Sequence, residues 1–139
     1  MVQRPFSHAV GRLRATGLRP TRQRLALARL LLDGGDRHVT AETLHNEAST
    51  RGMRVSLATV YNTLHQFTRA GLLRQVTVDA SKTYFDTNTS DHQHFLFEET
   101  GELRDIPADT VLLSQMPAAP AGSEIRRVDV VSRVGPVKA

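Results

Sequence analysis

The 139-residue sequence predicts an α+β fold in two small parts, short helices closed by a hairpin up to Asp86 and a strand-rich remainder. Three observations carry this prediction. Apolar residues recur at helical spacing in three stretches before residue 72, each opened by Thr or Ser and closed by Gly. Two β-rich runs, residues 72–78 and 83–86, flank the turn Asp79-Ala80-Ser81-Lys82. A polar stretch, Thr87 to Ser90, then precedes a change to strand-favouring composition.

The elements follow in order. An Arg-rich amphipathic start ends at Gly17-Leu18-Arg19-Pro20, and Pro20-Thr21 opens a helix over residues 21–33. Its Leu25, Leu27, Ala28, Leu31 and Leu32 form an apolar stripe, with Arg22 and Arg29 outward, and Gly34-Gly35 stop it. Thr40 caps a second helix, in which Glu42 favours the first turn and Leu44 and Ala48 face the core until Gly52. Ser56 caps a third, LATVYNTLHQFTRAG, with Leu57, Val60, Leu64 and Phe67 on one face and Gly71 at its end. The other face carries Ala58, Thr59, Asn62, Thr63, Gln66 and Arg69 and no acid, so nothing on it repels phosphate. Three helices followed by a hairpin make a winged helix-turn-helix, with the Ser56 helix suited to the major groove and the hairpin to the backbone. This N-terminal winged-helix domain takes residues 1–86, with a hinge over 86–91.

Residues 92–139 are expected to form a small C-terminal α/β domain. Strands over 94–98 and 102–106 flank Gly101, residues 109–115 form a helix, and 125–134 is a Val-rich strand. Pro117 and Pro120 forbid helix between them. About 50 residues bury too little surface to stand alone, so this half is expected to complete its core against a second copy.

Charge and composition narrow the function. Residues 1–75 carry 12 Arg against 4 acids, a balance of +8, while residues 76–139 carry 6 basic and 10 acidic residues, a balance of −4. Sixteen of the 18 basic residues are Arg, whose planar fork suits phosphate and the guanine edge. No stretch approaches the roughly 20 apolar residues that span a bilayer, and Met1 to Gly17 lacks the apolar centre of a signal peptide. A cytoplasmic protein without a membrane partner is expected. The absence of Cys excludes disulfides, thiolate zinc and iron–sulfur sites.

Any metal must therefore be held by His, Asp and Glu. His92 and His94 leave one face of a strand together, with Asp86 six residues before His92 and Asp105 on the neighbouring strand. An HxH pair alone is more often two solvated imidazoles, and the nearby carboxylates are what raise it to a candidate site. Nitrogen and oxygen donors without sulfur suit iron, manganese or zinc. His8, His45 and His65 have ordinary surface or helix positions and no ligand role.

RPTRQRLALARLLL, HVTAETLH, SLATVYNTLHQFTRAGLL and YFDTNTSDHQHFLFEETGELRDI together resemble the ferric uptake regulator family of metal-responsive bacterial transcription factors. FDTNTSDHQHF, the step into RDIP and the ending EIRRVDVV are most similar to its iron response regulator branch. The resemblance implies a homodimeric repressor on a palindromic double-stranded operator, with a C-terminal α/β dimerisation domain. It implies a hinge metal site of His38, Asp86, His92, His94 and Asp105, in which His38 alone comes from well inside the DNA-binding half. It puts Ser56, Thr59, Tyr61 and Asn62 on the recognition helix and Arg19 in an arm that reaches the minor groove. The branch is associated with haem, for which His92 and His94 are the candidates here. The family's paired CxxC zinc site is absent, and a second regulatory site near Asp91 and Gln93 lacks its remaining partners.

The expected function is thus a sequence-specific, non-enzymatic DNA-binding regulator of iron homeostasis, controlled by metal or haem at the hinge. The rival within the class is a peroxide- or manganese-responsive regulator. From other classes come a small His/carboxylate metallohydrolase, which would lack an evident general base, and a metal-free DNA-binding module.

Overall fold

A computed structural model of the chain describes residues 7–111 and 113–138. The chain divides after Thr89 into two compact units. The first contains helices α1 (Ser7–Ala15), α2 (Arg22–Leu32), α3 (Ala41–Thr50) and α4 (Leu57–Arg69), with strands β1 (His38–Val39), β2 (Arg74–Asp79) and β3 (Lys82–Asp86). The second contains β4 (Gln93–Phe97), β5 (Leu103–Ile106) and β6 (Val131–Val134). Among the described residues no helix is long and apolar enough to cross a membrane.

The caps read from the sequence are in place. The hydroxyls of Thr21, Thr40 and Ser56 accept the backbone N–H groups of Arg24, Thr43 and Thr59, satisfying donors that a helix N-terminus leaves open. Helices α3 and α4 end alike. Met53 N–H reaches Ala48 O and Gly52 N–H reaches Ser49 O, while Leu72 N–H reaches Phe67 O and Gly71 N–H reaches Thr68 O. Both endings need a left-handed residue, and Gly52 and Gly71 supply it at φ +79° and +83°.

α1 packs on α2, α2 on α3 and α3 on α4. Leu13, Leu27, Leu31, Leu44, Val60, Leu64 and Phe67 share one buried core with Phe85 from β3. Each fully buried Leu in such a core contributes about 1.5–3 kcal/mol. Two residues of α4 depart from the expected faces: Leu57, in the first turn beyond the reach of the core, is 37% exposed, while Thr63 is buried. β2 and β3 form the expected hairpin, and β1 adds an edge that the sequence did not reveal, giving the order β1-β3-β2.

In the second unit β4 is central, antiparallel to β5 and parallel to β6. Two expectations fail here. Over residues 109–115 the described residues hold no α-helix; a single 3₁₀ turn, Ala108–Thr110, starts the stretch. A seven-residue helix is marginal unless one face is buried, and Leu113 and Met116 remain 49% and 47% exposed. The C-terminal strand covers only Val131–Val134, because residues 125–130, apart from the Val130 contacts, lack a ladder partner and Ile125 is 45% exposed. Leu96, Leu103 and Ile106 are the buried apolar residues among those described in this unit.

Candidate metal centre and nucleic-acid interface

Within the first unit, β1 exists because its residues find partners on β3. His38 pairs with Asp86 and Val39 with Phe85, and the ladder extends outward as Thr87 N–H donates to Arg37 O (3.0 Å) and Arg37 N–H to Thr87 Oγ1 (2.8 Å). The Arg37 guanidinium forks onto both carboxylate oxygens of Glu47 on α3, tying this edge to the helical core. His38 Nε2 lies 3.2 Å from Asp86 Oδ2, and Asp86 Oδ1 accepts Asn88 N–H at 2.9 Å. Asp86 is fully buried, and on its other side the register places Arg74, also buried. His38, Asp86 and Arg74 thus form one row across three strands.

Within the second unit, His94 is paired with Asp105 across β4 and β5, and His92 lies one residue before β4. The ligand atoms of His92, His94 and Asp105 lie within 4.8 Å of one another. Asp105 Oδ1 is 3.2 Å from His92 Nε2 and 3.5 Å from His94 Nε2, and both imidazoles are buried. His92 Nδ1 stands 2.7 Å from the carbonyl oxygen of Ser90. A carbonyl only accepts, so Nδ1 carries the hydrogen and Nε2 is the ring atom turned toward Asp105. A ring nitrogen facing a carboxylate oxygen calls for a positive charge between them, supplied by a proton or a metal cation. The donors are nitrogen and oxygen alone, and they fit iron, manganese or zinc.

The remaining histidines have other surroundings. His45 Nε2 is 3.0 Å from Val55 O, His65 lies between the rings of Tyr61 and Phe85, and His8 is exposed. Gln93 braces the sheet, since its Oε1 accepts Val130 N–H at 2.6 Å and so joins β4 to the segment before β6.

On α4, Ser56 and Asn62 are exposed and Thr59 and Tyr61 half-buried. Ser56 Oγ both accepts Thr59 N–H (3.1 Å) and donates to Thr59 Oγ1 (2.9 Å), so these two hydroxyls fasten the helix start. The Tyr61 hydroxyl donates to Glu42 Oε1 at 2.8 Å. Glu42's own backbone N–H, and then this phenol, hold its carboxyl below the usual range, while the carboxylate raises the Tyr61 phenol. α4 therefore receives an acid from α3 at Tyr61, which a reading of α4 alone misses. Arg19 is exposed, and its carbonyl accepts Thr21 N–H (2.9 Å) and Arg24 Nη1 (2.9 Å). Arg24 also escaped the sequence reading. A helical side chain leans toward its own N-terminus, which is the signal that would have aimed Arg24 at Arg19.

A winged helix-turn-helix joined to a small sheet with sulfur-free metal donors defines a metal-responsive transcription regulator. The chain belongs to the Ferric uptake regulator family, whose profile matches residues 15–131. It is 32% identical over 104 residues to the Peroxide-responsive repressor PerR of Staphylococcus epidermidis, covering 75% of this chain and 69% of that one. The ferric uptake regulator of Pseudomonas aeruginosa, solved with manganese, superposes with a TM-score of 0.68 at 26% identity, covering 94% of this chain and 98% of that one. The Vibrio cholerae ferric uptake regulator shares the fold, with a TM-score of 0.69 at 21% identity over 91% of this chain and 98% of that one.

Proposed function

We propose that this chain is a homodimeric, sequence-specific DNA-binding repressor whose operator affinity is set by one divalent metal held by His38, Asp86, His92, His94 and Asp105. The observation that carries this reading is the His92 ring, fixed by Ser90 with its Nε2 aimed at Asp105 Oδ1. Residues 87–91 are all that separates Asp86 from His92, so the donor pair of the winged-helix domain (1–86) and the donor trio of the dimerisation domain (92–139) share a short tether. What a divalent cation supplies when bound is positive charge for these carboxylates and imidazoles and a common point for the two domains. His38 and Asp86 bring the winged helix to that point, and His92, His94 and Asp105 bring the sheet.

The winged helix reads DNA through Asn62, Tyr61 and Thr59 on α4, with Arg19 entering the minor groove and the +8 balance of residues 1–75 attracting phosphate. A palindromic operator follows from two copies related by a two-fold axis. The homodimer is supported by the second unit, where Leu113, Met116 and Ile125 are exposed beside a core of only a few buried side chains.

The metal and the signal it reports are read in two ways. Iron status is supported by the resemblance of FDTNTSDHQHF to the iron response branch, and peroxide by the relatives that are named peroxide-responsive repressors. Haem forms no part of the proposal, because the candidate imidazoles of His92 and His94 are buried and a porphyrin would need one of them opened to a broad apolar face.

His38→Ala tests the hinge. It is expected to weaken the metal-dependent gain in operator affinity more than it lowers total metal bound, since four donors remain. An intact gain in that variant sinks the hinge reading. Loading the protein with iron or with manganese and then adding peroxide separates the two signals: loss of operator binding in the iron form alone assigns peroxide sensing.

A further inference from the structure

Arg24 lies outside every role assigned so far, yet its guanidinium makes three contacts that join two parts of the reading head. Its Nη1 donates to the carbonyl of Arg19 at 2.9 Å. Its Nε and Nη2 both donate to Gln66 Oε1 on α4, at 3.3 and 3.1 Å. Its own backbone N–H is taken by the Thr21 cap, so the residue at the root of this side chain is itself fixed. The two bonds to Gln66 are partly buried, which shields them from water, while the bond to the Arg19 carbonyl is exposed.

The geometry points to Arg24 as a positioning residue that sets the arm carrying Arg19 at a fixed distance from the recognition helix. The inference rests on the proposed operator reading, in which Arg19 enters the minor groove and α4 the major groove. A minor-groove arm is usually a loose segment that loses conformational freedom on binding. Here the backbone at Arg19 is held twice, by Thr21 N–H and by Arg24, before any DNA arrives. Gln66, three residues beyond Thr63 and four beyond Asn62, transmits the position of α4 to that arm. Lys in place of Arg24 would keep the charge and lose the planar fork that reaches both partners at once.

The test is a double-mutant cycle on a duplex selected by the wild-type protein from a randomised pool. Arg19→Ala is measured in the wild-type background, in Arg24→Lys and in Gln66→Ala, with Asn62→Ala measured in the same three as a control on α4. The expected result is that Arg19→Ala lowers affinity about tenfold in the wild type and less than about twofold in both altered backgrounds, while the cost of Asn62→Ala is the same in all three. If either background variant unfolds, the other completes the cycle. A full tenfold cost of Arg19→Ala in a folded background variant overturns the positioning role and leaves the operator reading standing. An Arg19→Ala protein that binds like the wild type removes the arm, and the inference with it. Equal attenuation of the Asn62→Ala cost marks a general distortion of the unit and also overturns the proposal.

Discussion

The Asp105 carboxylate faces His92 Nε2, the ring nitrogen turned away from Ser90, at 3.2 Å. Asp105→Asn separates the two ways of satisfying that nitrogen. The amide can donate a hydrogen bond to Nε2, so the metal-free fold is expected to keep its thermal midpoint, while loss of the anionic donor weakens metal binding by at least about tenfold. Calorimetric metal titration beside a thermal melt reads both, and a destabilised metal-free variant would refute the expectation that the amide replaces the carboxylate at Nε2. Tyr61 gives a second expectation. Its phenol is raised by Glu42, so the contact's stabilisation is complete below the ordinary phenol value of about 10 and is lost as pH rises through the raised value. Glu42 is lowered, so its part is present above the ordinary carboxyl value and lost as pH falls through the lowered one. Ultraviolet titration of Glu42→Gln should bring the Tyr61 phenol back down. At this scale the grouping of His92, His94 and Asp105 was legible, because an HxH pair turns both rings to one side and the hairpin sets Asp105 beside His94. Thr63 was not, since a Thr beside an apolar stripe fits either face, and Glu42 was not, since its partner is 19 residues away.

Among the elements, α4 depends most on its first turn. Ser56→Ala removes the acceptor for Thr59 N–H and is expected to cost about 1 kcal/mol in denaturant unfolding. Gly71→Ala forces a side chain into φ +83° and breaks up the closing turn, at about 1 kcal/mol or more. An unchanged denaturation midpoint in either variant would contradict these roles. The helices were readable because each is marked at both ends, by a hydroxyl acceptor and by a glycine. β1 was hidden, since two residues have no periodicity and His38-Val39 becomes a strand only when β3 pairs with it. The expected helix over 109–115 erred the other way: its local pattern was adequate, but no buried face repays the cost of ordering it.

For the whole molecule the uneven charge is the property that acts at long range. With +8 on residues 1–75 and −4 on the rest, operator binding should weaken linearly in log salt, by about 0.9 per phosphate contacted. A flat response on the selected duplex would sink the nucleic-acid reading. The composition changes after Asp86 and the chain divides into two compact units after Thr89, whereas nothing in the sequence showed the direction of β6, because a short Val-rich strand carries no mark of parallel or antiparallel pairing. That direction has a kinetic consequence. β4 meets β5 across residues 98–102 but meets β6 only after residues 98–130 have been brought round, and closing the longer loop costs about 3 kcal/mol against about 1.4 kcal/mol for the shorter. During refolding the hairpin therefore forms first and waits with one edge of β4 open, the strand that carries His94. An open edge is a template for a neighbouring chain. Dilution from denaturant should give a slow final phase from the second unit, and raising protein concentration should divert that phase into aggregate while sparing the faster folding of the helices.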